Sequence, residues 1–297
     1  MLAAPTLETR QEQTFAPVLF AVLLFCSRTA FAQAQEKELD TPYVPTPQAV
    51  VDRMLDMAQV KASDMVIDLG SGDGRIMITA AKRHGARGFG VEIDPRLVKR
   101  SNEEAKRVGV AERVKFLQQD LFSTDFHEAA VLTLYLLPDV NIALRPKILA
   151  ELKPGTRVVS HDYGMGEWRP DAQETVPAPD KTVGTRKESM VYLWIVPARI
   201  EGEWIFELSS RGKTRRTRLV LQQRYQFVSG AVELTGQGDV QISEGRLRGN
   251  EVRLVLPPGA LDRGPVELVG RVTGDSLNGT VRRGEREVAN WSARRKG

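Results

Sequence analysis

The stretch Met65-Val66-Ile67-Asp68-Leu69-Gly70-Ser71-Gly72-Asp73-Gly74-Arg75 decides the fold of this 297-residue chain. It opens as a short apolar run of strand type and closes on a loop in which Gly70, Gly72 and Gly74 alternate with Ser71 and Asp73. Glycines there permit a sharp turn and let the backbone approach a ligand closely. The segment from Ile76 to Arg83 reads as a helix, whose first turn offers unpaired N–H groups. A dinucleotide fingerprint, G-x-G-x-x-G, wants its third glycine five residues after the first. Counting from Gly70, that position is Arg75, so the loop is instead G-x-G-x-G, preceded by an acidic residue at the strand end.

Working outward, the polar, proline-punctuated residues 33–45 read as an extended lead-in, and Thr46-Pro47 supplies an N-cap and a first-turn proline. Apolar residues from Val50 to Ala58 recur at helical spacing, which predicts an amphipathic helix over 47–60. After the glycine loop come a strand Gly88 to Ile93, a helix from Asp94-Pro95 to about Val108, and strands Val114 to Leu117 and Ala130 to Leu136. A helical stretch near 140–152, a Lys153-Pro154-Gly155 turn, a strand Thr156 to Ser160, a loop at Trp168-Arg169-Pro170-Asp171 and a strand Met190 to Val196 follow. Strands alternating with helices at this spacing give an α/β domain with a mainly parallel sheet over 46–197. Beyond Pro197 the period becomes two, with short strands such as Val252 to Leu256 and turns at Gly236-Gln237-Gly238, Pro257-Pro258-Gly259 and Asn278-Gly279. Residues 198–297 therefore read as an all-β module, a small barrel or a sandwich.

The Asp68 to Arg75 pattern resembles motif I of the class I S-adenosylmethionine-dependent methyltransferases. Glu92 at the end of the second strand and Gln118-Gln119-Asp120-Leu121 after the third stand where that family holds the ribose hydroxyls and the adenine. The likeness narrows with Thr41-Pro42-Tyr43-Val44-Pro45-Thr46-Pro47, Leu134-Tyr135-Leu136-Leu137-Pro138, Val158-Val159-Ser160 and Trp168-x-Pro170. Together these look like bacterial relatives of the mitochondrial ATP-synthase c-subunit lysine methyltransferases, over about 40–197. A weaker kinship to Dot1-type lysine methyltransferases rests on Asp-Leu-Gly-Ser-Gly alone. The resemblance implies a Rossmann-like, seven-stranded methyltransferase domain and S-adenosyl-L-methionine held by Tyr43, Asp68, Gly70, Ser71, Gly72, Asp73, Gly74, Glu92 and Asp120. It also implies a protein lysine as methyl acceptor.

Methyl transfer from a sulfonium is an in-line displacement, so alignment carries most of the catalysis and no nucleophilic side chain is required. A lysine acceptor must first lose its proton, which from a pKa near 10.4 costs on the order of 4–5 kcal/mol at pH 7. Ligands bind beyond the carboxyl ends of parallel strands, which points to Tyr135 and to His161-Asp162-Tyr163 as the acceptor side, with Tyr135 and Asp162 the candidate catalytic residues. No prolines follow Asp162, which disfavours a D-P-P-Y type of nucleic-acid base methylation. His161 is expected to be a satisfied loop histidine. Trp204 after Gly202-Glu203 suits a lipocalin-like barrel opening, but the commoner reading is a core tryptophan.

At the N-terminus, Phe15 to Cys26 is an apolar run followed by Ala30-Phe31-Ala32, the pattern of a secretory signal peptide over 1–32. That predicts a periplasmic or exported protein, with an uncleaved membrane anchor as the alternative. Export would separate the catalytic domain from cytoplasmic cofactor, so an envelope binding protein without turnover is the competing reading. The lone Cys26 excludes an intrachain disulfide and multi-cysteine metal sites. The formal charge of +4 is uneven: residues 198–297 carry 18 Lys/Arg against 12 Asp/Glu, and residues 1–197 carry 24 against 26. Spread along strands without interleaved aromatics, these arginines read as a solvated face; nucleic acid is a disfavoured partner, and proximity to an anionic membrane stays open.

Overall fold

The computed structural model describes residues 43–210 and 212–296, so the expected signal peptide and most of the lead-in lie outside the described residues. The described residues belong to one compact unit containing two sheets. The first follows the α/β expectation. Strands β1 (Met65–Leu69), β2 (Arg87–Glu92), β3 (Val114–Gln118), β4 (Val131–Leu134), β5 (Arg157–His161), β6 (Ala172–Pro177) and β7 (Glu188–Ile195) lie in the order β3-β2-β1-β4-β5-β7-β6. Every pairing is parallel except those that β7 makes with β5 and β6. From β1 the chain steps outward to β2 and β3, then returns to β4 on the other side. That reversal opens a crevice at the carboxyl edge, where open α/β sheets bind ligands.

Helices α1 (Gln48–Met57), α2 (Arg75–His84), α3 (Pro95–Arg107) and α4 (Pro138–Glu151) cover the sheet. One core layer joins Val50, Met54 and Met77 to Val66 and Val159; the other joins Leu144 and Ile148 to Ile67 and Leu132. Because both faces are covered, the central strands β1 and β4 are buried along nearly their whole length rather than at alternate positions. Two local readings change. Thr46 does not cap α1: Pro47 is the N-cap, without a side-chain bond, and the Thr46 hydroxyl reaches His161 instead. Strand β6 is absent from the sequence reading because only Val176 of its residues is buried; as an edge strand it tolerates Pro177 and shows no apolar pattern.

The second sheet is a closed antiparallel barrel of eight strands: β8 (Gly202–Ser210), β9 (Lys213–Arg224), β10 (Phe227–Leu234), β12 (Glu244–Arg248), β13 (Glu251–Leu256), β14 (Val266–Thr273), β15 (Ser276–Arg283) and β16 (Arg286–Arg295). Pairing of β9 with β10 closes it, and the short strand β11 (Gly238–Gln241) hangs on β10 outside the circle. Eight strands enclose a space that side chains can fill. Here Trp204, Phe206, Leu254, Leu268, Leu277 and Trp291 occupy it, each 2% exposed or less. Trp204 is thus a core residue, its indole N–H donating to the Ile200 carbonyl at 2.9 Å. Asn278-Gly279 is not a turn but the middle of β15. A Cβ on Gly279 would sit 2.0 Å from the Val269 carbonyl oxygen, so glycine serves strand packing there.

Candidate active site

The glycine loop crosses the head of β1 beside β2. Gly70, Gly72 and Gly74 all have positive φ, of 76°, 52° and 78°. The loop's own N–H groups are largely engaged within the protein. Gly70 and Ser71 donate to the Val91 carbonyl at 3.0 and 2.8 Å, Gly72 to the Glu92 carboxylate at 3.0 Å, and Gly74 to the Ser71 carbonyl at 2.8 Å. The loop is therefore pre-set by the end of β2. Its glycines also serve the protein's own packing: a Cβ on Gly74 would meet the Phe116 ring at 2.5 Å, and one on Gly72 the Tyr43 ring at 2.8 Å.

Asp68 ends β1 with 1% of its surface exposed. Its Oδ1 accepts from the Thr133 hydroxyl at 2.7 Å, while Oδ2 is buried without a hydrogen-bond partner. Burial pushes its carboxyl up to about 7, against the Thr133 hydrogen bond, with Glu92 and Asp73 adding to the rise. An unsatisfied buried carboxylate oxygen is costly, and a cationic group relieves it. S-adenosylmethionine carries an ammonium at its amino-acid end, so the orphaned oxygen fits the cofactor. Glu92, at the head of β2, accepts from Gly72, Ile93 and Asp94 N–H groups, which fix its carboxylate toward the loop. It has lone pairs left for ribose hydroxyls.

Tyr43 lies across Gly72, and its phenol is pushed up by burial and by the Asp73 carboxylate. Asp73 is engaged by Arg75, with Nη2 to Oδ2 at 2.6 Å. Burial would raise its carboxyl, but the Arg75 contacts outweigh that and hold it below the usual range. Arg75 also donates to the Thr46 carbonyl at 2.8 Å, tying the lead-in to the loop. Asp120 caps the single 3-10 turn Leu121–Ser123 by accepting from the Phe122 N–H at 2.9 Å. Its neighbour Gln119 donates to the Glu92 carbonyl at 3.1 Å, which sets the ends of β2 and β3 side by side.

On the acceptor side, the Tyr135 ring lies 3.8 Å from the His161 ring and stacks at 6.2 Å on Tyr163. Burial, with Asp162 and Tyr163 adding, pushes the Tyr135 phenol up to about 12, so it stays protonated at neutral pH. His161 is fully buried, with Nδ1 3.2 Å from the Thr46 hydroxyl and Nε2 2.8 Å from the Ser189 hydroxyl. Burial, aided by Lys181 and opposed by Asp162, lowers it to about 4, so it is neutral and satisfied, as expected of a structural histidine. Asp162 sits at φ 57°, accepts from the Met190 N–H at 2.9 Å, and pairs with Lys181 at 2.7 Å.

Residues 68–172 match the family described as the ANTKMT methyltransferase domain. A protein-lysine N-methyltransferase from Saccharolobus islandicus (strain REY15A) is 42% identical over 156 residues, which cover 52% of this chain and 93% of that protein. The chain belongs to the ANTKMT family of class I S-adenosylmethionine-dependent methyltransferases. The ATP synthase c-subunit lysine N-methyltransferase of Xenopus laevis is 33% identical over 150 residues, 50% of this chain and 66% of that protein. A crystal structure of an RNA methyltransferase from Salinibacter ruber, in complex with S-adenosyl-L-homocysteine, is 54% identical, with a TM-score of 0.48, and covers 53% of this chain and 96% of that one. The methyltransferase domain makes this chain an enzyme that transfers methyl groups, and S-adenosylmethionine is its cofactor. The matched segment stops at residue 172, ahead of the barrel.

This methyltransferase brings Tyr43, Asp68, Gly70, Ser71, Gly72, Asp73, Gly74 and Glu92 around one loop, and sets Tyr135 and Asp162 on the same carboxyl edge. Sequence reasoning missed Thr133, Arg75 and Lys181. Thr133 alone had a signal, as the one polar residue inside the apolar run Val131 to Leu137. The partners of Arg75 and Lys181, Thr46 and Asp162, stand 29 and 19 positions away, which no local pattern reveals.

Proposed function

We propose that this enzyme is a protein-lysine N-methyltransferase. The observation that carries the reading is the 42% identity to a protein-lysine N-methyltransferase across 93% of that relative's length. The local chemistry supports it. Asp68, Glu92 and Tyr43 hold the cofactor, which supplies an electrophilic methyl on a sulfonium. The acceptor amine enters beside Tyr135 and Tyr163, where aromatic walls exclude water and favour the neutral amine by desolvation. Tyr135, protonated through its pKa of about 12, orients the amine, and Asp162 takes the released proton once Lys181 yields it.

Purified protein incubated with methyl-labelled S-adenosylmethionine, poly-L-lysine and total RNA tests the reading. Nε-methyllysine in the protein fraction is expected; label confined to RNA, or transferred to neither, overturns it. We further read residues 1–32 as a signal peptide that places the enzyme in the periplasm, near membrane proteins, with retention as an anchor the alternative. Among the described residues no helix is long and apolar enough to cross a membrane. Cell fractionation with N-terminal sequencing decides: a mature chain starting at Gln33 supports cleavage, and an intact Met1 in the membrane fraction supports the anchor.

A further inference from the structure

The loop that leaves β5 runs from the acceptor side, His161-Asp162-Tyr163, to the foot of the barrel. Its near end is held by α4 and β7. The fully buried Asn141 donates to the Tyr163 and Gly164 carbonyls at 3.2 and 3.4 Å, and Asp162 is bonded to Met190. Between Tyr163 and Trp168 the loop contains Gly164 and Gly166, the latter at φ 60°, and closes a tight turn in which the Trp168 N–H donates to the Met165 carbonyl at 3.3 Å. Where this turn sits depends on what holds its far end.

That far end is held from two sides: the Trp194 indole N–H of β7 donates to the Trp168 carbonyl at 2.7 Å, and the turn between β9 and β10 adds contacts of its own. Tyr225 stacks on the buried Trp168 with ring centroids 6.1 Å apart and 15° between planes, and the Arg145 guanidinium lies 5.5 Å from the Tyr225 ring centre. The same arginine donates to the Met165 carbonyl at 2.8 Å, inside the loop. Gln226, with none of its surface exposed, donates to the Arg169 carbonyl at 2.6 Å. Tyr225 holds φ at 57°, a conformation that is strained for a bulky L-residue and persists only where the surroundings compensate. A glycine or asparagine would form this turn at lower cost. The ring is what the position retains.

We propose that Tyr225 and Gln226 are positioning residues, through which the barrel fixes the acceptor loop and so controls methyl transfer without touching the cofactor. The acceptor side is that of the lysine reading above, and the test separates the two. In the full chain, Tyr225→Gly relieves the backbone and removes only the ring, Tyr225→Phe keeps the stack, and Gln226→Ala removes the second contact. Amide hydrogen exchange across 163–169, S-adenosylhomocysteine affinity, and kcat and KM with poly-L-lysine are measured for each. Tyr225→Gly and Gln226→Ala are expected to speed exchange and to lower kcat/KM by about 10- to 100-fold, the scale at which misplaced reacting groups act. Cofactor affinity is expected to stay within about twofold, and Tyr225→Phe to behave as wild type. Unchanged exchange and turnover in both variants overturn the proposal, as does a loss of cofactor affinity equal to the loss of turnover. If the wild-type enzyme leaves poly-L-lysine unlabelled, the lysine reading fails. Exchange alone then decides the positioning role, with faster exchange supporting it and unchanged exchange rejecting it.

Discussion

Asp68 is expected to couple cofactor binding to pH. Its carboxyl sits at about 7 in the fold against 3.8 for the free side chain. Below about pH 4 both states are protonated and burial costs nothing; between about 4 and 7 the unfolded chain ionises first, so the cofactor-free fold loses stability as pH rises, and above 7 the loss is complete. A cofactor ammonium favours the ionised form and reverses this. S-adenosylhomocysteine affinity is therefore expected to rise about tenfold from pH 6 to pH 8, as the ionised fraction of Asp68 grows. Calorimetry at both pH values reads it, and Asp68→Asn should flatten the profile. Thr133→Val removes the one hydrogen bond that lowers the Asp68 pKa, so the same rise should move to higher pH. The strand-end aspartate was legible in the sequence because it borders a glycine loop; its pairing with Thr133 on β4 was not, because 65 residues separate them.

At the scale of elements, the glycine loop is a packing joint as well as a ligand wall. Gly74 occupies left-handed space at φ 78° as the N-cap of α2, and a methyl there would press on Phe116 of β3 and Ser101 of α3. Gly74→Ala should cost about 2–4 kcal/mol through backbone strain and overpacking together. A fall in urea midpoint at unchanged m-value checks this; a midpoint equal to wild type would show that the joint is soft. Helix α1 was legible because it buries one face at a period near 3.6, α3 through its Asp94-Pro95 start, and β1 was legible to the residue. Edge strand β6 and the short β11 were not, since each buries too little to impose a pattern.

Across the whole molecule, two ion pairs among the described residues join the methyltransferase fold to the barrel and should differ in weight. Arg246 of β12 pairs at 2.9 Å with Asp171, whose side chain is 7% exposed and also accepts from the Ile195 N–H. Arg224 of β9 pairs at 2.8 Å with Glu167, where both side chains are open to water. Removing a partner from a buried carboxylate costs its desolvation, whereas an exposed pair is screened. Arg246→Ala should lower stability by about 1–2 kcal/mol in thermal or urea unfolding, and Arg224→Ala should leave the midpoint where it is. Equal losses would mean that burial of Asp171 does not set the strength of the junction.

The sequence alone determined the two architectures and the cofactor loop, because both depend on short-range features: hydrophobic period, glycine placement, and carboxylates at successive strand ends. It could say that residues 198–297 form strands, yet not that β9 meets β10 to close a barrel, because alternation marks which face is buried and leaves the neighbour unspecified. Only the tertiary structure decided that Asp68 keeps one oxygen unpartnered, that Arg75 pins the lead-in, and that the barrel turn holds the loop after β5. Each of these depends on contacts between residues distant in sequence, whose geometry exists only once the sheets have packed.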